Sequence, residues 1–203
     1  MKKARLEAFS DGVFAIVITL LILDIKLPKV DYNDLPAALY IILPNISVYV
    51  LSFLIIGMYW VFHHYTFMFM KEADGVLLWL NILVLLFISF LPFPTSLMGQ
   101  YPYQTIPIVM YGLNLLCANA VGFISLLYLN KNKQLTTEMF TPKLFRSQMH
   151  TYISVNVMYM ICIGLAFFMP KFSSFLFGII SVYLIIRSVI FMGIGNCNLT
   201  SRK

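Results

Sequence analysis

Apolar residues run along this chain in six long stretches, at about 6–26, 45–69, 76–98, 107–129, 149–169 and 175–195, separated by polar or proline-bearing connections. Each stretch is near the ~20 residues that an α-helix needs to cross a ~30 Å hydrocarbon layer. The pattern predicts an all-α polytopic membrane protein, with residues 1–203 forming one six-helix domain. Pro28, Pro36, Pro102, Pro142 and Pro170 are placed in connections, and Pro44, Pro92, Pro94 and Pro107 near helix ends or inside a span. Pro92-Phe-Pro94 is expected to kink the third span, whose freed backbone groups then need partners from a neighbour.

The first stretch departs from the others. Between Arg5 and Asp24 it is apolar only from Gly12 to Leu23, a helix of roughly 18 Å, which is short of the bilayer core. Asp11 and its neighbours must therefore lie within or near the apolar layer, where an ionisable group survives only against protein partners or water. On a helical wheel Arg5, Phe9, Gly12, Ile16, Thr19 and Leu23 share one stripe, with steps of four and three. Such a stripe lines a narrow pore when several copies meet around an axis, with Ile16 and Leu23 as constrictions and Thr19 as a ring of oxygens. It equally makes a helix-packing seam with Thr19 bonded to its own backbone, and spacing alone favours the seam.

Composition agrees with a membrane protein and excludes a separate soluble domain: 61% of the 203 residues are hydrophobic and 11% charged, with a mean hydropathy of +0.87. The net charge of +6 is explained by topology rather than by nucleic acid. Lys2, Lys3, Arg5, Lys71, Lys131, Lys133, Lys143, Arg146, Arg202 and Lys203 fall on one side of a six-span layout, and Lys26, Lys29 and Lys171 on the other. This bias places both termini in the cytoplasm, with the chain in a cell membrane. Asn198-Leu-Thr200 is then on the wrong side for glycosylation. Glu7 and Asp11 interrupt any signal-peptide pattern, so the N-terminus is expected to be retained. Cys117, Cys162 and Cys197 suggest neither a disulfide framework nor a zinc site.

Ser10 and Asp11 lie off the stripe, and Trp60, His63 and His64 on the second span and Asn81 on the third fall near the same end of the bundle. A short turn between those spans brings these groups within reach, so an inter-helix network is expected, with His63 and His64 both open as members. A histidine there also suits a proton relay or pH sensor. Asp24 is placed at the outer mouth, either as an acidic ring or as a solvated anchor. Arg187 looks unpaired and is expected to snorkel. Asn114, Asn119 and Asn156, with Ala118 and Gly122, read as packing residues, and Tyr101 and Tyr103 as an interfacial belt. No phosphate loop, nucleophile elbow or zinc motif is visible, which argues against an enzyme.

Arg5-xxx-Phe9-Ser10-Asp11 followed by Gly-Val-Phe-Ala-Ile-Val-Ile-Thr resembles the signature of the transmembrane protein 175 family of potassium channels, in its prokaryotic branch. The resemblance implies a homotetramer in which helix one of each subunit lines a central pore. It implies a hydrophobic constriction at Ile16 and Leu23 and a threonine layer at Thr19. It implies that Arg5, Phe9, Ser10 and Asp11 belong to a structural network suited to Trp60, a second-span histidine and Asn81. K+ is then the permeant ion among monovalent cations, with modest selectivity, no cofactor, and no partners beyond further copies of the chain and the lipid bilayer. The competing reading is a proton-coupled secondary transporter using Asp11 and a histidine.

Overall fold

A computed structural model describes residues 3–26 and 28–200, with side chains up to residue 189. Lys2, Arg202 and Lys203 lie outside it, as do the side chains of Cys197, Asn198 and Thr200. Among the described residues six helical segments are long and apolar enough to cross a membrane, so the chain is an all-α, six-span polytopic membrane protein.

The first span is helix α1 (Lys3–Leu20), tightened into a 3₁₀ turn over Leu21–Asp24. It is not short: helix runs straight through the polar motif, giving about 35 Å in all and placing Asp11 near its middle. After a loop that contains a short helix α2 (Leu35–Ile41), which the hydropathy pattern did not reveal, the second span is α3 (Leu43–Phe69). The third is α4 (Gly75–Phe90) continued by α5 (Pro92–Gln100), followed by α6 (Thr105–Lys131), α7 (Pro142–Ala166) and α8 (Pro170–Thr200).

Pro36, Pro142 and Pro170 are not in connections. Each sits in the first turn of a helix, where a missing N–H costs nothing. Thr141 caps α7 by accepting from the Leu144 N–H at 3.3 Å, so this helix starts before its apolar stretch, on Lys143, Arg146 and Gln148.

The helix is interrupted at Leu91, where the kink is expected, and the chemistry of the break is visible. Pro92 has no N–H for the Ile88 carbonyl, so the Leu91 N–H turns to Ile88 O at 3.2 Å instead of reaching Phe87. The Phe87 carbonyl left over accepts from Asn114 Nδ2 on α6 at 2.9 Å. Thr95 in turn donates its hydroxyl to Leu91 O at 2.8 Å.

Helix α6 packs against both α4 and α7, burying Tyr111, Leu115 and Ala118. Its glycines let α7 approach closely: a Cβ on Gly122 would lie 2.9 Å from the Tyr152 ring, and one on Gly112 2.7 Å from Ile163. A smaller apolar cluster of Leu6, Phe67, Met70, Leu77 and Leu129 closes one end of the bundle. There the Thr137 N–H donates to Phe69 O at 2.8 Å and the Lys71 N–H to Leu135 O at 2.7 Å. The start of α1 and the 70–74 and 132–141 connections thus share one end. At the opposite end Lys171 Nζ lies 5.7 Å from the centre of the Tyr103 ring.

Candidate functional site: the two faces of the first helix

Helix α1 packs only one side of itself. Leu6, Ser10, Phe14, Val17 and Leu21 are buried and recur at steps of three and four, so they form one face, held against α3 and α4. The stripe of Arg5, Phe9, Gly12, Ile16, Thr19 and Leu23 is centred about 140° round the helix from that face, and each of these residues is exposed. Ile16 is 60% and Leu23 65% exposed. Asp24 is exposed at the far end of the span.

The buried face carries a chain of hydrogen bonds in which every donor has an acceptor. The Asn81 Oδ1 carbonyl accepts from His63 Nε2 at 2.7 Å, which assigns the proton to that ring nitrogen. Asn81 Nδ2 donates to Ser10 Oγ at 3.0 Å, and the Ser10 hydroxyl donates to the Leu6 carbonyl at 2.9 Å. Three helices are tied at one level, and Ser10 is 0% exposed. The His63 ring is further fixed between Phe14 and Phe67, at centroid distances of 5.4 and 4.6 Å.

A second, outer set of contacts runs alongside. Trp60 Nε1 donates to Asp11 Oδ1 at 2.9 Å, and His64 Nδ1 lies 3.5 Å from Glu7 Oε1, an ion pair when the ring is protonated. Trp60 and His64 stack at 5.8 Å. The choice between the two histidines thus resolves as both: His63 faces inward to Asn81 and His64 outward to Glu7. Glu7 was not anticipated, although the spacing held the signal. Glu7 and Asp11 are four residues apart on one helix, as are Trp60 and His64 on the other, so two parallel rungs form.

Arg5 and Phe9 take no part in these bonds. Both lie on the exposed stripe, and Arg5 has no hydrogen bond or ion pair among the described residues.

Thr19 donates its hydroxyl proton to the Ile16 carbonyl at 2.8 Å. The bond back to the helix leaves the lone pairs of the threonine oxygen free on the exposed side.

Arg187 is not unpaired. Its guanidinium donates to Thr151 Oγ1 at 2.6 Å and to Ser147 O at 3.0 Å, both near the start of α7. Asn119 Nδ2 donates to the Tyr152 carbonyl at 3.1 Å, and Asn156 Oδ1 is buried without a partner among the described residues. At the closed end Asp74 caps α4 by accepting from the Leu77 N–H at 2.9 Å and from the Tyr128 hydroxyl at 2.6 Å. Desolvation pushes its carboxyl up, but the hydrogen bonds from Leu77 and Tyr128 outweigh it and hold the group below the usual carboxylate range.

The sequence profile described as "Endosomal/lysosomal potassium channel TMEM175" matches residues 5–92. A potassium channel of a Chryseobacterium species is 35% identical over 84% of this chain and 85% of its own length. The chain belongs to the TMEM175 family. The crystal structure of a TMEM175 homologue from Chamaesiphon minutus, described as a lysosomal potassium-selective channel homologue, superposes with a TM-score of 0.80 at 28% identity, over 92% of this chain and 97% of that one. The human endosomal/lysosomal proton channel TMEM175 is 43% identical over 45% of this chain and 20% of its own length.

Proposed function

We propose that this TMEM175 member is a potassium-preferring, leak-type cation channel in which four copies surround a central pore lined by α1. Residues 1–203 act as one pore-forming unit in the cell membrane, both termini cytoplasmic, with K+ as permeant ion and no cofactor. The observation that carries this reading is the division of α1 into a packed face and an exposed one. The exposed face bears a row of Ile16, Thr19 and Leu23 that no other helix covers among the described residues, and the bacterial relative named above is a potassium channel.

Around a fourfold axis Ile16 and Leu23 form rings that narrow or dewet the path, and Thr19 gives a layer of hydroxyl oxygens that partly replaces the hydration shell. Asp24 gathers cations at the outer mouth. The Ser10–Asn81–His63 chain and the Asp11–Trp60 bond hold α1 in register.

A proton-coupled transporter is less well supported. Asp11 is bonded to Trp60, whose indole only donates, and the chain through His63 ends on a backbone carbonyl rather than on Asp11.

The test is K+ flux into vesicles containing the protein under a potassium gradient. We expect flux without valinomycin that changes in both Ile16→Asn and Leu23→Ala. Flux that is absent, or unaltered in both variants, contradicts the pore, and a zero-current voltage that follows the proton gradient favours the coupled transporter.

A further inference from the structure

A partly open cavity lies between helices of the chain, away from the exposed face of α1. It is a cavity of about 80 Å³ bounded by α3, α4, α6, α7 and α8. Its walls are mainly apolar, with Phe62, Phe67, Leu77, Val84 and Leu184 among them.

The polar groups at its edge are mostly committed. His63 Nε2 is used by Asn81, Asn119 Nδ2 by the Tyr152 carbonyl, and the Thr151 hydroxyl by Arg187 and Ser147. Gln148 is the exception. It lines the cavity, is only 8% exposed, and its amide makes no hydrogen bond among the described residues. With no protein partner among the described residues, the amide of this buried residue is left to bond whatever occupies the cavity, water included.

We propose that this cavity is a binding site for a small neutral amphiphile, a short apolar body carrying one hydroxyl or amide that bonds to Gln148. The walls select the apolar body, and the free amide, able both to donate and to accept, selects the polar end. The volume is about half that of the ~150 Å³ cavity that admits benzene, which sets the ligand at the size of propanol or butanol. Among the described residues no Asp, Glu, Lys or Arg lines the space, so a neutral ligand is favoured over an ion. His63 and Asn81 form part of the wall; Asn81 donates to Ser10 on α1, and His63 is bonded to Asn81. An occupant therefore presses on the link between α3 and α4 and the pore helix. That effect on conduction rests on the pore reading above, whereas binding does not.

The full chain in lipid vesicles is photolabelled with a diazirine analogue of butanol, and the labelled peptides are mapped with and without excess 1-propanol. We expect adducts on the α7 segment around Gln148 and Tyr152, several-fold fewer with propanol and in Val84→Phe, which fills the cavity. Gln148→Leu keeps the volume but removes the amide, and is expected to weaken propanol competition. Labelling confined to lipid-facing residues, or labelling unchanged by propanol and by both variants, overturns the proposal. So does retention of ordered water alone in the cavity at saturating propanol. Potassium flux is recorded on the same vesicles, and specific labelling without any flux overturns the pore while upholding the site.

Discussion

Asn81 uses both ends of its amide, and the two bonds differ in what they hold. Its carbonyl fixes His63 on α3 and its NH₂ fixes Ser10 on α1, so a single side chain on α4 couples three helices. Interhelical bonds in membrane proteins are worth about 0.6 kcal/mol each, with a maximum near 1.7. Asn81→Leu is therefore expected to lower stability by about 1–2 kcal/mol, read as a lower melting temperature in detergent, and more than Trp60→Phe, which removes one bond. Ser10, Asp11, Trp60, His63 and Asn81 were all recognisable in the sequence, because polar groups at membrane depth need partners. Their pairing was not, since it depends on helix rotation. Asp74 answers to pH. Its carboxyl is held below its unfolded value of about 3.9, so the cap stabilises fully above that value and its contribution is lost as the pH falls through the lower folded one. The melting-temperature gap between the protein and Asp74→Ala should be constant near neutrality and close only in strong acid, and a gap independent of pH to the acid limit would contradict this assignment.

At the scale of elements, the kink between α4 and α5 shows a sequence signal that reached its structural consequence. Two prolines two residues apart predicted a break, and the carbonyl it releases is bonded by Asn114 from α6. Asn114→Ala should cost about 1 kcal/mol, and less in a Pro92→Ala background, where Leu91 is able to return to Phe87. A double-mutant cycle of melting temperatures reads this coupling, and additive losses would show that the two sites are independent. All six spans were legible from hydropathy. Their ends were less so, because α1, α7 and α8 begin on polar or proline residues that an apolar window cannot see, although caps and first-turn geometry favour helix there. Helix α2 lies between spans and buries little more than Ala38, so no apolar period marked it.

For the whole molecule, one subunit does not account for its own sequence. The row Phe9, Ile16, Thr19 and Leu23 is uncovered among the described residues, yet it belongs to a helix whose other face is tied by buried hydrogen bonds. The sequence supplied the row, but spacing alone does not separate a packing seam from the lumen we propose, since neighbouring copies are not encoded in any one chain's periodicity. The most direct test is access of water-soluble thiol reagents to single cysteines during K+ flux, in a background with the three native cysteines replaced. Thr19→Cys, on the proposed lumen, is compared with Val182→Cys, which is 55% exposed on α8. A pore lined by α1 predicts rapid loss of flux on modification at position 19 and unchanged flux at position 182. Full flux after complete modification at position 19 would contradict it.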